Sequence, residues 1–166
     1  GNGNATMRCN GTTDFYNLIV DKGTDPSTSL TVYSTSYQNF RLFGANTANG
    51  QGGTENPLLR KALWIRNGSL ILKGMIVIPS LSEGSCYSSA NTNPNSDFYV
   101  PANGAFVLDG SEVIVLSTAD SYTEVNLAYG TSATSDAAMG IAKGGCSSFS
   151  IYGKLEINDG YFSTRE

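Results

Sequence analysis

The sequence predicts an all-β chain: a right-handed parallel β-helix (β-solenoid) with long loops. Three observations predict it. Apolar residues come in short runs that alternate with period two, as half-buried strands do. No stretch of useful length carries the 3.6-residue period of a helix. A block of short strands punctuated by glycine recurs in phase along the chain. With 166 residues there is room for a single domain of ordinary size.

The elements follow in order. Phe15-Tyr16-Asn17-Leu18-Ile19-Val20 is the first apolar run, closed by the turn signal Asp21-Lys22-Gly23. Leu30 to Tyr33 and Phe40 to Phe43 alternate as half-buried strands. Residues 44–57 lack packable side chains and read as a long loop. Leu63 to Ser80 reads as three short strands separated by Asn67-Gly68 and by Gly74. A similar block runs from Phe98 to Ser117, and a more diverged one from Ile141 to Gly160. Ser132 to Ala142 is the one helix candidate, weakened by its Ser, Thr and Gly content.

The three blocks can be stacked. Leu70 and Leu72 then lie over Phe106 and Leu108, and these over Phe149 and Ile151. A glycine follows each pair: Gly74, Gly110 and Gly153. Ile76 and Ile78 match Val113 and Val115, then Leu155 and Ile157. The offsets are 36 and 43 residues, and the middle block has one extra residue after its glycine, read as a bulge or bend. A single turn of three strands cannot bury its inner face, whereas stacked turns enclose a narrow apolar tube. The expected coils cover about 14–62, 63–97, 98–140 and 141–166, with loops at 44–57, 79–97 and 117–140. The right hand is taken from the general preference of parallel crossovers. The alternative is an antiparallel β-sandwich, which also offers many short strands joined by turns.

Composition excludes several functions. The net charge of −4 argues against nucleic acid, which asks for a basic stripe. With no histidine, the chain alone can build no Ser-His, Cys-His or His-metal site. Gly, Ser, Thr and Asn supply 69 of 166 residues. Charged residues are 14%, against roughly 25% in average domains. Such a surface suits extracellular β proteins. No apolar run approaches the ~20 residues of a membrane span, and no signal peptide is visible. Gly1-Asn2-Gly3 and the strand-like Tyr161 to Glu166 read as ends cut from a longer chain. Of the three cysteines, Cys86 and Cys146 stand beside loops and are candidates for a disulfide. The alternative leaves all three, Cys9 included, as free thiols, at least one filling the core.

Asp14 to Gly23 (DFYNLIVDKG) resembles the "FYNL" strand motif of large secreted surface proteins of the Bacteroidetes. The blocks LWIRNGSLILKGMIVIPSLSEG, VIVLSTADSYTEVNLAYG and SIYGKLEINDGYFSTRE are similar to successive coils of such proteins, so the resemblance covers most of residues 14–166. Those proteins are long, β-helical or β-rich, and commonly exported by the type IX system. The resemblance implies a cell-surface or extracellular location and a structural, adhesin-like role. It implies as partners neighbouring segments of the same longer chain, surface glycans or other proteins. The chain carries no C-terminal sorting domain of that class, and the resemblance supplies no catalytic motif.

The candidate chemistry is sparse. Parallel β-helices that cleave polysaccharides need clustered carboxylates, held roughly 5–10 Å apart for glycoside hydrolysis. Stacking places Lys73 and Tyr152 at the positions equivalent to Asp109, and Asp159 in a different strand. Glu112 could lie near Asp109, but no third acid joins them. No catalytic residue is therefore predicted. Two other readings remain: a non-catalytic part of a polysaccharide-active enzyme, and a self-assembling extracellular fibre subunit. Asn91 to Asp97 alternates oxygen-bearing side chains, a weak Ca²⁺ candidate because Asp97 is its only carboxylate. Asp21 and Asp25 beside Thr24 are a second weak candidate, and no cofactor is expected. The more serious option is carbohydrate contact. Tyr87, Tyr99, Tyr122 and Tyr129, with Tyr37, lie in or beside loops rich in Asn and Ser, where rings could meet sugars. Alternatively these rings cover the ends of the tube, with the hydroxyl kept wet. Trp64 reads as strand packing. Arg60, Lys61 and Arg66 form a small basic group, facing either an acidic glycan, a neighbouring domain or solvent.

Overall fold

The computed structural model describes residues 1–15, 18–42, 63–78, 98–115 and 149–163. Among these residues there are eleven strands and no helix. They are β1 (Ala5–Cys9), β2 (Thr13–Phe15), β3 (Leu18–Asp21), β4 (Ser29–Ser34), β5 (Phe40–Leu42) and β6 (Leu63–Gly74). Then come β7 (Ile76–Ile78), β8 (Phe98–Val100), β9 (Gly104–Val115), β10 (Phe149–Ile151) and β11 (Lys154–Phe162). The helix candidate 132–142 lies outside the described residues.

Every described pairing is parallel. This departs from the antiparallel sandwich. The pairings fall into three ladders. In the first, β1 pairs β4, β4 pairs the second half of β6, that half pairs β9, and β9 pairs β11. In the second, β2 pairs β5, β5 lies beside β7, and β7 pairs the end of β9. The end of β9 in turn pairs the end of β11. The third runs through β3, the first half of β6, β8 and β10. Along the chain the strands visit these ladders in the cyclic order first, second, third. β6 and β9 each serve two ladders without a break in the strand, so the turn expected at Asn67-Gly68 sits inside β6. Gly68 makes that change of direction with φ +87.

Pleating sorts each strand into two faces. Leu70, Leu72, Phe106 and Leu108 of the first ladder are fully buried. So are Ile76, Ile78 and Val113 of the second, and Leu63, Ile65 and Val100 of the third. With Phe98, Val115 and others they form one hydrophobic cluster. Each such side chain contributes about 1.5–3 kcal/mol relative to an exposed one. Cys9 is a free thiol in this cluster, and burial pushes its pKa up.

The expected stack holds for the first two blocks and fails for the third. Leu70 pairs Phe106 and Leu72 pairs Leu108, while Ile76 pairs Val113 and Ile78 pairs Val115. The extra residue after Gly110 is accommodated between these two runs. In the third block, however, Phe149 pairs Phe98, and it is Leu155 and Ile157 that pair Phe106 and Leu108. From Phe106 to Leu155 the offset is 49 residues instead of 43. The strands on both sides of the turn share an apolar-x-apolar pattern, so sliding by one strand leaves the pattern intact. Backbone crowding breaks the tie. Gly153 packs against the carbonyls of Pro101 and Gly104, and Gly160 against those of Gly110 and Val113. Gly153 therefore belongs to the column of Gly68 and Gly104, and Gly160 to that of Gly74 and Gly110.

Candidate functional site

The outward positions of the third ladder carry an apolar and aromatic stripe that ends at Ser150. Ile19 pairs Trp64, Trp64 pairs Tyr99, and Tyr99 pairs Ser150. Adjacent rungs are about 4.8 Å apart. Inward neighbours alternate with these residues: Val20 and Ile65 below, Phe98 and Val100 above. The stripe is partly open. Ile19 is 51% exposed, Trp64 and Tyr99 are half-buried, and Tyr152, just past β10, is 72% exposed. The Tyr99 and Tyr152 rings meet at 5.7 Å between centroids, tilted by 59°. The indole Nε1 of Trp64 is buried and has no hydrogen-bond partner among the described residues.

A polar rim borders one end of the stripe. The Arg66 guanidinium lies over the Trp64 ring, 5.7 Å from its centroid. It also forms an ion pair of 3.6 Å with Asp21. Asn67 Nδ2 donates to Asp21 Oδ1 at 2.8 Å, across the pairing of β3 with β6. The rim thus holds an amide, a carboxylate and a guanidinium whose charges balance.

The other candidates are placed differently. Tyr99 sits on a strand, where the sequence offered a loop-side ring. Tyr37 is 2% exposed and turned into the fold between β4 and β5, so it offers no platform. Burial and the nearby charge of Glu112 push its phenol up to about 12. Tyr87, Tyr122, Tyr129, Cys86, Cys146, Asp97, Arg60 and Lys61 lie outside the described residues. Asp21 is engaged by Asn67 and Arg66, and Asp25 accepts the Ser27 N–H at 2.8 Å. The Ser27 side chain first, and then this N–H bond, hold the Asp25 carboxyl below its usual range. Among the described residues no group of three or more acids or cysteines is placed to hold a metal ion.

The acids of the first ladder do stack, contrary to the expected register: Asp159 pairs Asp109, not a different strand. Lys73 neutralises Asp109 at 2.6 Å, and Lys154 pairs Glu156. The Lys154 and Asn158 side chains hold Glu156 below its usual range. That shift is opposite to the raised pKa of a general acid.

Sequence reasoning missed Tyr152 and the outward role of Trp64. Trp64, Tyr99 and Tyr152 each stand one residue from an inward apolar position, a usable signal. Comparison with family models, curated proteins and solved structures found no match to the chain. No helix among the described residues is long and apolar enough to cross a membrane.

Proposed function

We propose that the chain is a right-handed parallel β-solenoid serving as a structural and adhesive segment of a large exported bacterial surface protein. It works by rigidity and display, with no chemical step of its own. The observation that carries this reading is the cyclic order in which the strands visit three parallel ladders, their apolar positions turned to one cluster. Parallel crossovers favour the right hand. Two columns of glycine at the turns support close stacking of successive passes. The low charge and the Ser, Thr and Asn content fit display outside the cell, and the FYNL-type blocks fit the Bacteroidetes surface class. The outward aromatic stripe is the surface offered to glycans or partner proteins.

Protease shaving of intact cells of the source organism, with mass spectrometry of the released peptides, tests this reading. Peptides of this chain are expected from intact cells. Their release only after lysis overturns a surface location.

A further inference from the structure

We propose that the stripe Ile19, Trp64, Tyr99 and Tyr152 is a binding platform for a linear, uncharged polysaccharide. The glycan runs along the ladder, across the strands. This deepens the adhesive reading and rests on it for the supply of glycan, while binding is a property of the chain itself.

The geometry points to this ligand in four ways. First, the pairing of Ile19 with Trp64, Trp64 with Tyr99 and Tyr99 with Ser150 makes a straight file of consecutive rungs. At about 4.8 Å per rung the file from Ile19 to Ser150 extends about 15 Å, and Tyr152 follows two residues after Ser150, past the end of β10. The step is close to the length of one pyranose ring, so a linear chain can follow it. Second, aromatic faces carry negative charge and attract polarised C–H groups. A hexose with equatorial hydroxyls presents a C–H-rich face of that kind. The Tyr152 ring, 72% exposed and tilted by 59° against that of Tyr99, offers a face to such a group. Third, Arg66 is paired with Asp21, so the rim gains no net charge from this pair. Asn67, Asp21 and Arg66 are hydrogen-bonding groups suited to hydroxyls, whereas an anionic polymer would meet the Asp21 carboxylate. Fourth, the backbone of Trp64 and Tyr99 is held by strand pairing on both sides, so little backbone freedom is lost when a ligand binds.

Trp64 is the single tryptophan of the chain, so its fluorescence reports on this platform alone. The full chain is titrated with β-1,4-linked gluco-oligosaccharides of graded length, with polygalacturonate as the anionic control. The expected result is a saturable change of emission and an affinity that rises with length up to about four units. Salt is expected to have little effect. Tyr152→Ala, at an exposed position, is expected to weaken binding at least tenfold with an unchanged circular dichroism spectrum. Tyr99→Phe is expected to retain most of the affinity. Three results overturn the proposal: no emission change with any gluco-oligosaccharide, binding indifferent to Tyr152→Ala, or salt-sensitive binding of polygalacturonate alone. An emission that changes with protein concentration alone, matched by dimers in sedimentation, also overturns it, because the platform is then a contact between copies. These results leave the cell-shaving outcome untouched, so failure of the ligand and failure of the surface reading are distinguishable.

Discussion

Replacing Gly68 by alanine tests the closeness of the ladders at the turn between the third and the first. Gly68 has φ +87, a conformation that costs an L-residue about 1–2 kcal/mol. The added Cβ would stand 2.5 Å from the Lys22 carbonyl and 2.8 Å from that of Thr28, both backbone atoms between β3 and β4. Neither can move cheaply, since Thr28 O already accepts the Ser69 N–H at 2.8 Å. Relief of such overpacking costs about 1–3 kcal/mol. Gly68→Ala is therefore expected to lose about 2–5 kcal/mol, a large part of the ~5–15 kcal/mol that stabilises a typical domain. At roughly 2–4 °C per kcal/mol, Tm falls by about 5–20 °C. Gly110→Ala is the intermediate control, its Cβ meeting Gly74 N at 3.1 Å and Val113 Cγ2 at 3.3 Å without a positive φ. Gly11→Ala is the open control, with nothing within 4 Å, and should be neutral or stabilise by up to about 1 kcal/mol. Urea unfolding of the three variants gives the order. A Gly68→Ala variant as stable as Gly11→Ala would refute the close approach of the backbones at this turn.

Tyr37→Phe should flatten the alkaline arm of the stability profile. The folded phenol titrates at about 12 against about 10 when unfolded, so stability is fully present below pH 10 and is lost as pH rises through 12. The loss is about 2–3 kcal/mol, read by urea midpoints across that window in both proteins. Phe106→Ala, at the centre of the first ladder, should cost about 3–5 kcal/mol in equilibrium unfolding. Asp109→Asn should cost less than about 1 kcal/mol, because its pair with Lys73 is partly exposed, and that cost should shrink in high salt. The Cys9 thiol, buried in the core, should react with a thiol reagent only as the protein unfolds, on the timescale of global opening.

Much of the strand arrangement was legible because burial follows a local rule. Leu70 and Leu72, like Phe106 and Leu108, stand two residues apart, and that spacing decides which side chains enter the cluster. The pairs Leu70–Phe106 and Ile76–Val113 followed from matching two closely similar blocks across a short interval. The third block could not be aligned that way. Phe149-Ser150-Ile151 and Leu155-Glu156-Ile157 satisfy the same pattern, and only the crowding at Gly153 and Gly160 separates them. The stacking of Asp159 on Asp109 was lost with that register.

The sequence by itself determined that the chain is built of strands, because short apolar runs and, in segments such as Leu30 to Tyr33, a period of two are written in neighbouring residues. It also marked the turns, because Gly68 and Gly74 adopt backbone conformations that other residues resist. Only the tertiary structure decided that Ile19, Trp64 and Tyr99 stand on adjacent rungs of one face. Register between strands separated by long intervals is set by the sum of packing and backbone fit over every strand pair, and no local pattern encodes that sum.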